Sequence, residues 1–278
     1  MSRPQAGEAL SDEVLYEVSD HIATITLNAP ERMNTISGPM LNALAARLIQ
    51  ADKDHEVRCI IITGKGRAFC AGLDLGAQTS GNQSAGSLSI GSSGGIVSTS
   101  IDLANTPPTV LFNLEKPTIA AVNGGAAGYG MDTALGCDIR LMGASAKLAA
   151  AFCKRGILPE SGGTWFLPRL IGWSKAAELV FTGRTLSAQE SVDWGLASEV
   201  VPDGELMARA RALAAEIAAN APLAVQAAKR MMRMGLNEPF NEHVHHVYLQ
   251  LLPLMRTEDV KEGMTAFMEK RAPVFKGR

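Results

Sequence analysis

The chain has 278 residues, 46% of them apolar, and its 26 Lys and Arg against 28 Asp and Glu leave a formal charge of -2. That length and apolar content are enough to bury one large core. The near balance of charge excludes a basic nucleic-acid surface as the main device, because neutralising phosphates takes a concentrated Lys and Arg face.

Met1 to Glu8 has no apolar core of signal-peptide kind, and no apolar run reaches the ~18 residues of a membrane span, so a soluble, cytoplasmic protein is expected. Val14 to Leu27 alternates apolar and polar residues around Ser19-Asp20, which predicts a hairpin. Ser37, with Pro39 two positions on, opens an amphipathic helix with Met40, Leu41, Leu44 and Leu48 on its inner side. Val57 to Thr63 is a β-branched run that suits a strand covered on both faces. From Gly76 to Gly95 the composition turns to Gly, Ser, Asn and Gln, which predicts a mobile loop. A helix is expected from about Thr99 to Glu115, bent near Pro107-Pro108.

Thr118 to Val122 and Ile139 to Met142 read as buried strands, with a helix over Ala126 to Leu135 between them. After Pro159 helices dominate, with Ser187 and Asp203 as expected N-caps, and no strand is expected beyond Val201. Val260, Gly263, Met264, Phe267 and Met268 form a one-sided stripe that must pack on something, its own core or a neighbouring subunit. Cys59, Cys70, Cys137 and Cys153 lack CxxC spacing and have apolar neighbours, so four buried free thiols are expected. His243 and His246 share a helix face, but no carboxylate or cysteine is spaced to complete a metal site, so no metal is expected.

Two glycine turns carry the chemistry. In Lys116-Pro-Thr-Ile-Ala-Ala-Val-Asn-Gly-Gly-Ala-Ala-Gly-Tyr-Gly-Met-Asp132 a strand runs into crowded glycines and then a helix, whose unpaired N–H groups favour an anion or a developing oxyanion. Arg67-Ala-Phe-Cys-Ala-Gly-Leu-Asp74 is a second strand ending in a glycine turn. Asp132 lies three residues beyond Tyr129, so a carboxylate can stand beside whatever the amides hold. The alternatives are glycines that merely permit tight strand–helix packing, and a dinucleotide site. For the latter, Gly125, Gly128 and Gly130 have the wrong spacing and no ribose-binding acid follows.

Both turns resemble those of the crotonase (enoyl-CoA hydratase/isomerase) superfamily. The resemblance continues at Ala29-Pro-Glu-Arg-Met-Asn-Thr-Ile-Ser, Gly156-Ile-Leu-Pro-Glu-Ser-Gly-Gly-Thr, Phe181-Thr-Gly, Ala188 to Val200 and Phe267-Met-Glu-Lys-Arg-Ala-Pro-Val-Phe, and so spans roughly residues 14 to 276. It implies an α/β fold: a crotonase-type ββα spiral core over 1–200 with the acyl-CoA site, and a helical C-terminal trimerisation region over 201–278, assembled as a homotrimer or a hexamer. It implies an acyl-CoA thioester substrate whose carbonyl sits between the amides of Leu73 and Tyr129, with coenzyme A part of the substrate and no separate cofactor.

Two preorganised N–H donors stabilise the enolate formed when an α-proton leaves. Of the two glutamates that serve in hydratases, one corresponds here to Asp132 and the other falls on Phe152, which can neither take nor give a proton. Glu160 occupies the place where some enoyl-CoA isomerases of the family carry a single base, so isomerisation is favoured over hydration. For each acid the structural alternative stands beside the catalytic one: an N-terminal helix acid for Glu160, a hydrogen-bonded helix acid for Asp132. Coenzyme A would be held by Arg32, by backbone around Ala71 and, from a neighbouring subunit, by Phe267 and Lys270. A non-catalytic acyl-CoA binder and a hydrolase or C–C lyase acting on a cyclic acyl-CoA remain the competing readings.

Overall fold

The computed structural model describes residues 11–74 and 106–278. The expected loop at 76–95 and the first part of the expected helix at 99–115 lie outside the described residues.

The alternating stretch near the N-terminus is an antiparallel hairpin of β1 (Val14–Ser19) and β2 (Ile22–Leu27), with Asp20 and His21 at positive φ in its two-residue turn. Helix α1 (Gly38–Lys53) starts where Ser37 Oγ accepts the Met40 N–H, the capping contact that its position predicts. It buries Met40, Leu44 and Leu48. The β-branched run forms β3 (Cys59–Gly64), followed by the short β4 (Ala68–Cys70). Helix α2 (Pro107–Asn113) carries Pro107 and Pro108 in its first turn. They therefore start the described helix where they were expected to bend it, because a proline lacks an N–H that the first turn leaves unused anyway.

Then come β5 (Thr118–Val122), β6 (Gly125–Ala127), α3 (Tyr129–Gly136), β7 (Ile139–Gly143) and β8 (Lys147–Ala149). The helix expected from Ala126 thus begins three residues later, because Gly125–Ala127 pairs as a strand. Helices α4 (Gly163–Ile171) and α5 (Trp173–Thr182) lead to β9 (Thr185–Ser187), α6 (Ala188–Asp193) and β10 (Glu199–Val201). Ser187 caps α6 in a reciprocal box with Glu190. Asp203 is no N-cap: its Oδ1 accepts the Ser145 N–H at 3.0 Å, and a 3-10 turn over Asp203–Glu205 precedes α7 (Leu206–Ala218). Three more helices close the chain, α8 (Pro222–Gly235), α9 (Phe240–Leu254) and α10 (Glu258–Glu269).

The strands form two sheets. A six-stranded sheet runs β1-β2-β3-β5-β7-β10, parallel except at the first hairpin, and a four-stranded sheet runs β4-β6-β8-β9. Each passage of the chain lays a longer strand in the first sheet and a short one in the second, β3 then β4, β5 then β6, β7 then β8. Side-chain alternation splits the core of the large sheet. Ile60 and Ile62 pack with Met40, Leu44 and Leu48 of α1, while Ile61, Ile119 and Leu141 pack with Leu206, Ala210 and Ala214 of α7. Each such fully buried Ile or Leu contributes about 1.5–3 kcal/mol. Arg140, buried under α3, donates to the carbonyls of Ala134, Leu135, Cys137 and Leu196 and so satisfies the end of that helix. Helix α8 is tied to the core by Lys229 and Arg233, which pair with Asp138 at 2.7 and 2.9 Å. Burial opposes the Asp138 charge, yet those two cations hold its pKa below the ordinary carboxylate value.

Candidate active site

The parallel pairing of β4 with β6 matches Cys70 to Ala126. Counting three residues on from each partner reaches Leu73 and Tyr129, so the register brings both glycine turns to the same end of the small sheet. Gly128, at φ 52 and ψ -122, turns the chain from β6 into α3, a conformation hostile to residues with a Cβ. The approach of the two turns is close. A Cβ on Gly130 would stand 2.1 Å from the Cys70 carbonyl oxygen.

Tyr129 is the first residue of α3, so its N–H has no carbonyl within the helix to bond. On the first turn Ala71 donates to the Met33 carbonyl, Ile36 donates to the Gly72 carbonyl and Asp74 donates to the Ile36 carbonyl. These bonds, with the parallel bridge of Ile36 to Leu73, fix the strand on either side of Leu73. They leave the Leu73 N–H without a backbone acceptor among the described residues. Two buried-edge amides with open donors thus sit on adjacent turns, one of them at the positive end of a helix.

Two asparagines, whose part was not read from the sequence, hold the first turn in shape. Asn34, fully buried and at φ 55, accepts the Ala29 N–H and donates to the carbonyls of Lys65 and Ala68. Asn123 accepts the Gly64 N–H at 3.0 Å and donates to the Gly66 carbonyl at 2.9 Å. The available signal was an Asn inside a Met-Asn-Thr loop and another inside Val-Asn-Gly, where a short amide can mimic a backbone turn.

The acids differ in surroundings. Asp132 is buried, and its Oδ2 accepts Ser161 Oγ–H at 2.8 Å and the Gly163 N–H at 2.9 Å. Its Oδ1 has no partner among the described residues. Burial pushes its pKa up to about 7, against the pull of the Ser161 and Gly163 donors. The sequence reading missed Ser161 and Gly163, although Ser-Gly-Gly ahead of a helix is a recognisable run of exposed donors. Glu160, next to that anchored Ser161, is exposed as a residue, but partial loss of hydration raises its carboxyl above the ordinary Glu value. Phe152 is buried with its ring 3.8 Å from where a Gly128 Cβ would stand, so it walls the second turn with hydrocarbon.

Arg32 is engaged: its Nη2 pairs with Glu13 Oε1 at 2.7 Å and its Nε donates to the Thr35 carbonyl. Ala71 lies on the first turn between the two flanks described. Phe267 and Lys270 stand at the end of α10, Phe267 84% exposed and Lys270 at φ 55. Of the cysteines, Cys59, Cys70 and Cys137 are buried, and burial raises each to about 12, which leaves them protonated and inert. Cys153 departs from the expectation and is exposed, because it opens a 3-10 turn on the surface. His243 and His246 do meet a carboxylate, Glu238, at 3.0 and 3.1 Å, since the turn before α9 folds Glu238 back onto the helix. Among the described residues no group of three or more potential ligands is arranged to hold a metal ion, and no helix is long and apolar enough to cross a membrane.

Comparison with known proteins agrees with this geometry. Residues 17–278 match the family Enoyl-CoA hydratase/isomerase. The chain is 35% identical to 1,2-epoxyphenylacetyl-CoA isomerase of Escherichia coli over 95% of its own length and 98% of the relative's. It is 37% identical to carnitinyl-CoA dehydratase of Salmonella typhi, covering 92% and 95%. The crystal structure of an enoyl-CoA hydratase from Bacillus anthracis superposes with a TM-score of 0.84 at 33% identity, over 96% of this chain and all of that one.

Two outcomes follow from the site's packing. Because Gly130 has no room for a methyl group against the Cys70 carbonyl, a backbone atom that cannot swing aside, G130A is expected to lower the unfolding free energy by about 3 kcal/mol, measured by urea denaturation. Asp132 has a folded pKa raised from 3.8 to about 7, so the fold favours its protonated form. That contribution is complete below the unfolded pKa and is lost as pH rises through 7, at up to about 1.4 kcal/mol per pH unit. D132N, which cannot ionise, should therefore gain on the wild type between pH 4 and 8 in parallel urea titrations. A stability difference that stays flat over that range would show that the carboxyl is ionised throughout.

Proposed function

The chain belongs to the enoyl-CoA hydratase/isomerase family, and from that premise we propose that it moves the double bond of an enoyl-CoA through a thioester enolate. The thioester carbonyl accepts hydrogen bonds from the Leu73 and Tyr129 amides. Glu160 removes a proton from the α-carbon of a 3-enoyl thioester, the electron pair delocalises onto the carbonyl oxygen as a dienolate, and the same carboxyl returns the proton at the γ-carbon. No atom is gained or lost, so one carboxyl suffices. Two amides fixed before the reaction stabilise the enolate oxygen, and removing one such donor typically costs about 3–4 kcal/mol of barrier.

The observation that carries isomerisation over hydration is the contrast between positions 152 and 160. Water activation between two carboxylates has no second carboxylate where Phe152 stands buried. Glu160 is accessible and partly desolvated, a state that brings a carboxyl closer to the pKa of an effective proton shuttle. Asp132, gripped by Ser161 and Gly163, holds the turn from which Glu160 projects, and its field adds to the site. Arg32, backbone at Ala71, and Phe267 and Lys270 of a neighbouring copy complete the reading as the coenzyme A contacts. The residues exposed on α9 and α10, among them Phe240, Tyr248, Leu252, Met255, Phe267 and Met268, suit burial between copies of this chain.

Incubation with 3-enoyl, 2-enoyl and cyclic CoA thioesters, followed by product mass, tests the chemistry. A product of unchanged mass that gains the absorbance of a conjugated thioester is expected. Gain of water, with or without ring opening, overturns the isomerase reading, and binding without any product favours a non-catalytic role. E160Q is expected to lower kcat at least about 100-fold, as loss of a proton shuttle does. Should E160Q and D132N both turn over at the wild-type rate, neither acid is the base. Light scattering in solution should give the mass of three or six chains, and a monomer would refute assembly through α9 and α10.

A further inference from the structure

The proposed mechanism uses the amide of Tyr129 and leaves its side chain without a task. That side chain is only 7% exposed, and its hydroxyl is buried with no hydrogen-bond partner among the described residues. Burying a hydroxyl without a partner is unfavourable, and such atoms are few in folded proteins and require a reason. Burial first, and then the neighbouring Cys70, Glu160 and Asp132 side chains, push the phenol's pKa up.

A second orphan belongs to the same turn of α3. Asp132 Oδ1 is buried without a partner, although Oδ2 of the same carboxyl has two donors. Tyr129 and Asp132 share the first turn of α3, yet they do not satisfy each other. Of the three other unpartnered buried atoms, Glu199 Oε1 has an ion-pair partner in Arg209, while Tyr16 Oη and Arg47 Nε belong to a stacked pair between β1 and α1. The first turn of α3 is therefore a corner with an unmet donor and an unmet acceptor, and Phe152 packs beside Gly128, the glycine that precedes it. An unsubstituted alkyl chain would leave both orphans buried and dry. An oxygen substituent would meet the phenol, and a hydroxyl can donate as well as accept.

We propose that Tyr129 is a specificity-determining residue whose phenol donates to an oxygen on the acyl group, so that the site selects hydroxyl- or oxo-bearing acyl-CoA thioesters over hydrocarbon ones. This rests on the acyl-CoA reading and deepens it.

The test uses matched saturated pairs that have no double bond to move, butyryl-CoA against 4-hydroxybutyryl-CoA and pentanoyl-CoA against 4-oxopentanoyl-CoA, titrated calorimetrically into wild type and Y129F. At least one oxygenated member should bind the wild type about 10-fold more tightly than its partner, and the preference should shrink to under about 2-fold in Y129F. The ligand-free Y129F protein should melt no lower than the wild type, because the hydroxyl it loses has no partner to miss. Equal affinities in the wild type, a preference that survives Y129F, or equal weakening of both members by Y129F would each overturn the inference. In those cases a water fills the corner, or the phenol positions Glu160. If no thioester binds at all, the acyl-CoA reading falls and takes this inference with it.

Discussion

The site depends on one close approach, that of the backbone of Gly130 to the carbonyl of Cys70. An α-helix cannot begin against a strand end at that distance unless the facing residue lacks a Cβ. Once the helix is seated there, its first amide and the amide of Leu73 belong to neighbouring turns, since β4 and β6 run parallel in a register that matches Cys70 to Ala126 after an irregularity between Ala68 and Cys70. That register is in turn inherited from β3 and β5, whose parallel ladder pairs Ile60 through Thr63 with Thr118 through Ala121. The large sheet thus sets the geometry of the small one, and the small one sets the donors.

The same economy governs the acids. Asp132 leaves α3 at its first turn and reaches the start of α4, where it satisfies Ser161 and the first amide of that helix. A carboxylate at a helix N-terminus is favoured by the local dipole, but burial opposes ionisation more strongly, and the balance brings the titration of this group to about pH 7. Glu160, one residue before the anchored Ser161, is exposed where Asp132 is buried. One acid is therefore held by the start of α4, while the other is exposed and is the one proposed as the proton shuttle.

Much of this architecture is legible in the sequence because its signals are local. Ser37 and Ser187 announce helix starts through spacing alone, and the run ending at Thr63 announces a buried strand. Where the reading failed, a partner distant in sequence decided the outcome. Asp203 looked like a cap, but Ser145 lies within its reach and takes its carboxylate. Two residues of the expected helix, Ala126 and Ala127, belong to β6 because strands from two other passages flank them. Glu238 joined His243 and His246 through a turn that spacing along a helix cannot express. For the site, the glycines and acids are visible as letters, whereas the roles of Asn34, Asn123 and Ser161 exist only once residues about 30 to 60 positions apart meet.

A consequence for chemistry is that the two kinds of machinery differ in how substitution can reach them. The amides of Leu73 and Tyr129 are backbone groups, so exchanging a side chain at either position leaves the donor in place while the turn keeps its shape. Positions 132, 152 and 160 present only side chains to the site, and each can change without disturbing the sheets. Under the proposed mechanism, such a fold would keep enolate stabilisation constant and leave the fate of the proton to a few exchangeable groups. In this chain those positions carry a phenyl ring at 152, a buried and gripped carboxyl at 132 and an exposed one at 160. Tyr129 combines both categories in one residue, its amide committed to the turn and its phenol free to be selected for what it meets.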